Sequence, residues 1–331
     1  VYKGVRIHKN MRQNMTLLVS DEDFIKAWNK FKSPIRIAEK LHLDVRSVMR
    51  RRRSLEQRYG IELKSETAPA IRMIEQTPLH VRRGIDIEKG CVIVFSDAHF
   101  MPDEITPAYK FLLRCIEEFK PSVVVCNGDA FDGGSISRFP RIGWDKKPTV
   151  REELEACQEM MEGIEKVSKG AQLIWTMGNH DARFETFLAA NASQYEGIQG
   201  FHLKDHFPMW KGCWSFWVGS HTIIKHRFKG GRNAGYANLQ AAGNVNIITG
   251  HTHVLAVQPI SNYQGTFYGV QTGCLADPNG AQFADYTEDS PKDWRSGFAV
   301  LNFDKGRLIQ PELAVVHSET EVEFRGKIHE V

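Results

Sequence analysis

The chain has 331 residues, of which 42% are hydrophobic and 25% charged. That is room for one large domain plus a small one, with enough apolar material for a buried core, so disorder and collagen-like structure are excluded as dominant states. The longest apolar runs, residues 91–95 and 123–126, have the length of strands and fall far short of the roughly 18 residues of a membrane span. Net charge is only +3, yet residues 1–65 hold 16 Lys and Arg against 7 Asp and Glu, so a basic module precedes a slightly acidic body.

Val1 to Arg6 are followed by no apolar h-region, so no signal peptide is expected. The six cysteines include no Cys-x-x-Cys pair, which argues against a thiolate zinc site or a disulfide framework and for a reducing, cytoplasmic setting.

In chain order, Ser20 is placed to cap a helix whose first turn is acidic and whose Phe24, Ala27, Trp28 and Phe31 recur at helical spacing. Ser33 and Pro34 open a second helix with Ile37, Ala38 and Leu41 as its buried face. Asp44 caps a third, with Val45, Val48, Met49 and Leu55 as apolar points, and Gly60 ends it. Arg46, Arg50, Arg51, Arg52, Arg53 and Arg58 surround that third helix. The short turn between the last two helices resembles a helix-turn-helix, in which one helix braces another that enters the DNA major groove. Residues 1–65 are therefore expected to be a DNA-binding module, with Arg46, Arg50, Arg51, Arg52 and Arg53 as DNA contacts. The plain alternative is a three-helix appendage with a solvated arginine face. Residues 66–90, interrupted by Pro69, Pro78 and Gly84, read as a connector.

From Cys91 onward, strand and helix signals alternate. Strands are expected at 91–95, 122–126 and 171–177, with helices at 107–119 and 151–167 between them. Residues 214–225 read as two strand-like halves about Gly219 and Ser220, followed by a strand at 244–250. The runs 266–273 and 297–304 are expected to complete a second sheet. The fold class is α/β, strand-rich toward the end.

Four of these strands end in polar, metal-capable residues: Asp97 and His99; Asn127, Asp129 and Asp132; Asn179, His180 and Asp181; His251 and His253. Ligands gather at strand ends in α/β sheets. Asp97 and His99 are two apart, which puts both on one side if the strand continues, and His251 and His253 share that spacing. Carboxylates, imidazoles and an amide oxygen together suit Mn²⁺, Fe or Zn²⁺ better than Mg²⁺ or Ca²⁺. The number of donors suits two ions, which together clamp the attacking and leaving oxygens of a phosphoryl group.

Asp97-x-His99, Gly128-Asp129-x-x-Asp132, Gly178-Asn179-His180-Asp181 and Gly250-His251-x-His253, in that order over about 240 residues, resemble the calcineurin-like metallophosphoesterase superfamily. The resemblance implies a four-layer α/β/β/α sandwich over residues 91–331 with a dinuclear site, Mn²⁺ being favoured and Fe or Zn²⁺ the alternatives. It implies that Asp97, His99 and His253 bind one metal, that Asp129 bridges, and that Asn179, His251 and one further His bind the second. His202, His206, His221 and His226 are the candidates for that further His. His226 is chosen because it sits at a strand end, at the family's usual distance before Gly250-His251. The resemblance makes His180 the unligated catalytic residue. Asp132 and Asp181 are read as orienting their neighbours rather than binding metal.

The expected function is a metal-dependent phosphodiesterase or nuclease acting on DNA, similar to the Mre11/SbcD-like nucleases or to phage-encoded phosphoesterases, working in the cytoplasm of a cell or phage host. A phosphomonoesterase, a cyclic-nucleotide or protein phosphatase, and a DNA-binding regulator with a vestigial site are the rivals. No membrane partner is expected.

Overall fold

A computed structural model describes residues 19–64, 81–139, 147–283 and 292–331. The chain divides into two units, Val1–Ile71 and Arg72–Val331. Residues 1–18 of the expected module and 66–80 of the expected connector lie outside the described residues.

The first unit contains α1 (Asp21–Phe31), α2 (Pro34–Leu41) and α3 (Val45–Tyr59). The expected caps are in place: Ser20 Oγ accepts from Asp23 N, Ser33 Oγ from Arg36 N, and Asp44 from Arg46 N and Ser47 N. Lys32, His42 and Gly60 end the three helices in the left-handed region. Phe24, Trp28, Ile37, Val48, Leu55 and Leu63 fill a small core. Burying a side chain of this size contributes roughly 1.5–3 kcal/mol, so one such cluster can hold a unit this small together.

The second unit is a sandwich of two sheets. One has the strand order β15-β14-β13-β11-β2-β3-β4-β5. Its centre is β2 (Lys89–Phe95), β3 (Val123–Cys126), β4 (Gln172–Thr176) and β5 (Lys211–Cys213), all parallel. Here β11 (Gly297–Asp304) joins antiparallel to β2, and β13 (Glu312–Ser318), β14 (Glu321–Phe324) and β15 (Lys327–Glu330) follow; β12 (Arg307–Leu308) pairs with β11. The other sheet runs β1-β6-β7-β8-β10-β9. Its strands are β1 (Arg82–Ile85), β6 (Ser215–Val218), β7 (Thr222–Ile224), β8 (Asn246–Thr249), β9 (Leu255–Asn262) and β10 (Gly265–Thr272).

Side chains alternate across the first sheet as the two-residue period dictates. Ile93, Phe95, Val124 and Trp175 face the core shared with α4 (Pro107–Phe119) and α5 (Val150–Val167), whereas Val92, Val94, Val125 and Ile174 meet Phe216, Ile224, Ile248 and Val270 of the second sheet. Another helix, α6 (Asp181–Asn191), follows β4. The outer face of the second sheet carries α7 (Ala234–Ala242), whose Gly235 backbone lies so close to Gly269 that a Cβ on Gly269 would overlap it. The layers are α/β/β/α, as the sequence implied.

Two expectations need correction. Residues 82–90 are not connector: β1 pairs in parallel with β6, and β2 begins at Lys89. The run 297–304 does not complete the second sheet but lies beside β2 in the first. Apolar alternation marks a strand without naming its neighbour.

Candidate metal centre

The site forms where strands of both sheets end. Asp97 and His99 follow β2, Asp129 follows β3, Asn179 follows β4, His226 follows β7, and His251 and His253 follow β8. Backbone conformation, not strand pleating, aims these side chains, which corrects the reasoning from two-residue spacing. Asp97 (φ 50°), His99 (φ 40°), Asp129 (φ 55°), His251 (φ 70°) and His253 (φ 56°) all lie in the left-handed region, which non-glycine residues enter reluctantly. Such strain collects where the surroundings over-determine a functional geometry.

The glycines within the motifs make room for these side chains. A Cβ on Gly128 would overlap the His226 ring, and one on Gly178 would overlap Asp129.

Three groups of donor atoms result, one of them His99, Asp132 and His180. Asp97, His99 and His253 converge within 4.8 Å of one another, and so do Asp129, His226 and His251. His251 N–H donates to Asp97 Oδ2 at 2.9 Å, tying these two groups together. Asp129 Oδ1 accepts the His180 N–H at 2.8 Å, and its Oδ2 lies 3.0 Å from His226 Nε2. Three buried atoms, His99 Nε2, Asn179 Oδ1 and His253 Nδ1, lack hydrogen-bond partners. Buried polar atoms are costly when unsatisfied, and this set of nitrogens and an amide oxygen is what a borderline divalent cation takes. The residues therefore fit the two-metal assignment.

Supporting contacts fix the imidazoles. Asp132 Oδ1 lies 2.8 Å from both His99 Nδ1 and His180 Nδ1, and the Asn127 carbonyl lies 2.7 Å from His226 Nδ1. A proton held at Nδ1 of His99 and of His226 leaves each Nε2 lone pair for a metal. Asp132 thus orients two rings at once. Asp181 orients the loops: Oδ2 accepts from Asp129 N, Gly178 N and Trp175 Nε1, and Oδ1 from Ala130 N and Phe131 N.

Burial pushes His99 and His251 below the ordinary imidazole pKa, which favours the neutral, ligating form. Burial alone would raise Asp129, but His226 and His180 outweigh it and hold the carboxyl well below the usual range. His180 moves the other way: burial opposes its protonation, but the Asp129 and Asp132 carboxylates prevail and raise it.

Of the other histidine candidates, His202 lies 3.5 Å from Glu185, His206 bonds the Gly200 carbonyl, and His221 is exposed. Sequence reasoning missed Phe283 and Trp294. Phe283 is fully buried against the His99 and His253 rings, and Trp294 lies 4.3 Å from the His253 ring centroid. No motif or periodicity announces either residue.

Residues 92–255 match the family described as calcineurin-like phosphoesterase. The domain belongs to that family. The gene 54 protein of Mycobacterium phage L5 is 26% identical over 259 residues, spanning 68% of this chain and 93% of that protein. Two solved structures are also similar. Wild-type Vps29 complexed with Zn²⁺ from Entamoeba histolytica is 14% identical, covering 72% of this chain and 98% of its own, with a TM-score of 0.39. The phosphoesterase YfcE from E. coli is 15% identical, covering 67% and 97%, with a TM-score of 0.33. The match makes residues 92–255 a metallophosphoesterase-type region, and the family is a hydrolase class acting on phosphoesters.

In the N-terminal unit, the arginines divide. Arg46, Arg50 and Arg53 are exposed and, with Val45 and Met49, line one open face of α3. Arg51 is turned inward, bonding Asp21 Oδ1 at 3.0 Å and lying over Phe24; Arg52 pairs with Glu56 at 3.0 Å and lies over Trp28. These two make contacts within the unit. Among the described residues, no helix is long and apolar enough to cross a membrane.

Proposed function

We propose that this protein is a dinuclear metal-dependent phosphodiesterase that cuts DNA, with Mn²⁺ as the favoured metal and a phage-type role in a host cytoplasm. The observation that carries the reading is the convergence of two donor groups, with three unpartnered buried donor atoms among the candidate ligands. Asp97, His99 and His253 would hold one ion and Asp129, His226, His251 and Asn179 the other, with Asp129 shared. Bound there, the pair would supply Lewis-acid charge neutralisation and an activated water.

The chain's own residues do the rest. Asp132 locks His99 and His180 in orientation. His180 Nε2, 4.0 Å from Asp129 Oδ2, is placed to give a proton to the leaving oxygen. Arg183, whose Nη1 donates to the Asp132 carbonyl at 2.9 Å, holds that corner of the site and offers a guanidinium to phosphate oxygens. The exposed α3 face, with Arg46, Arg50 and Arg53 on one side of a three-helix unit, is read as a major-groove surface; its positive charge complements a polyanion.

The test compares bis-p-nitrophenyl phosphate with p-nitrophenyl phosphate, with Mn²⁺ added, and then labelled DNA. The reading expects faster diester turnover and DNA cleavage. Faster monoester turnover with intact DNA would favour a phosphatase. No turnover despite bound metal would favour a regulator with a vestigial site. Replacing Arg46, Arg50 and Arg53 together by Ala should weaken DNA binding and flatten its salt dependence by about 0.9 in log–log slope per lost phosphate contact. An unchanged salt titration would remove the DNA-binding role of the unit.

A further inference from the structure

A cavity of about 580 Å³ opens beside the metal centre, and Asn179 forms part of its wall. The described residues that line it include Arg138, Arg183 and Arg227 and no carboxylate. They also include Phe139 and Phe187, which are 60% and 42% exposed. Neither ring is needed by the core. The Arg138 guanidinium lies over the Phe139 ring, 5.1 Å from its centroid, so cation and aromatic face are presented together.

These features point to one ligand chemistry. Arg183 lies 3.9 Å from the Asp132 carboxylate, and Arg138 and Arg227 add two further guanidinium groups, which select phosphate oxygens. A bare phosphate needs neither exposed phenyl rings nor this volume, which lies in the range of small-molecule sites of roughly 300–1,000 Å³. Aromatic faces beside a cationic track are how single-stranded nucleic acid is held, each base stacking on a ring and each phosphate meeting a cation. Asn179 connects the cavity to the metal centre, and Arg183 connects it to Asp132 and His180.

We infer that this cavity is a nucleotide subsite: Phe139 and Phe187 receive the base of the nucleotide next to the scissile phosphate, and Arg138 and Arg227 receive its flanking phosphate. The inference rests on the phosphodiesterase reading and adds to it that the strand entering the centre is single or locally unpaired, because a base stacked within a duplex offers no free face to a phenyl ring.

The experiment uses the full chain with Mn²⁺ and three chromogenic diesters: thymidine 5′-p-nitrophenyl phosphate, thymidine 3′-p-nitrophenyl phosphate and methyl p-nitrophenyl phosphate. At least one nucleoside ester should exceed the methyl ester in kcat/KM by tenfold or more. Phe187→Ala and Phe139→Ala should each shrink that ratio, by about 5- to 100-fold for the loss of one stacked base, and Phe187→Tyr should retain it. Both rings are exposed, so neither truncation removes a core side chain. Thymidine monophosphate should inhibit competitively, with Ki raised by Phe187→Ala and by Arg227→Ala, whereas inhibition by inorganic phosphate should respond only to Arg227→Ala. Equal kcat/KM for nucleoside and methyl esters would overturn the subsite while leaving the phosphodiesterase reading intact. Tighter binding of a phosphotyrosine peptide than of thymidine monophosphate would overturn it too. If no ester is turned over, the phosphodiesterase reading fails, and calorimetry then decides the subsite. Saturable thymidine monophosphate binding that Phe187→Ala abolishes supports it, and no binding overturns it.

Discussion

Glu153 is a buried carboxyl outside the metal centre whose replacement by Gln should stabilise the protein in a pH-dependent way. It lies in α5 at 1% exposure; its Oε1 accepts the Gly134 N–H at 3.1 Å, and its Oε2 has no partner. Burial, with Asp132 nearby adding repulsion, raises its pKa from 4.5 to about 7. The unfolded carboxyl ionises first, so between about pH 4.5 and 7 the unfolded chain has lost a proton that the folded chain keeps. Stability therefore falls as pH rises through that window. A rise of this size corresponds to at most about 3 kcal/mol once the group is ionised in both states. Gln keeps a carbonyl oxygen for Gly134 and removes the titration. Relative to the parent, Glu153→Gln should gain stability progressively from pH 4.5 to 8, up to that limit. At about 2–4 °C per kcal/mol for a domain of this size, the melting temperature should rise by several degrees at pH 8 and show little gain at pH 4.5. Parallel thermal melts of the two metal-free proteins across this range read the difference directly. A difference in melting temperature that does not change with pH would refute the argument, because a packing effect has no proton to release.

Asp129→Asn should lose bound metal and nearly all activity, whereas Asp132→Asn should keep metal and lose about 10- to 100-fold, as expected for a residue that only orients ligands; equal losses at unchanged metal content would contradict the division. His180→Ala should retain both metals yet slow turnover by about 10²–10⁴, and less so for a nitrophenyl leaving group that needs no proton; loss of a metal, read by elemental analysis, would show that His180 is a ligand. Gly178→Ala should reduce metal content without unfolding the sandwich, because its methyl group would displace the Asp129 carboxylate; normal metal content with normal activity would show that the loop yields.

The candidate ligands stand out along the chain because donor chemistry is a property of residue type. Asp97, His99, Asp129, Asn179, His226, His251 and His253 each stand just after a strand, and local apolar patterning marks strand ends well. The helix caps Ser20, Ser33 and Asp44 were legible for the same reason, since each satisfies backbone groups only two or three residues away. What depends on distant partners was not legible. The side on which β11 pairs is set by which strand completes the core around Val92 and Val94. The inward turn of Arg51 and Arg52 is set by Asp21 and Trp28, more than twenty positions earlier. The left-handed backbone at five candidate ligand positions is imposed by the packed loops, with Asp181 gathering five N–H groups among them. Local sequence determines what a residue offers; only the closed sandwich determines what it faces, because the free energy that holds a strained loop comes from contacts made across the whole domain.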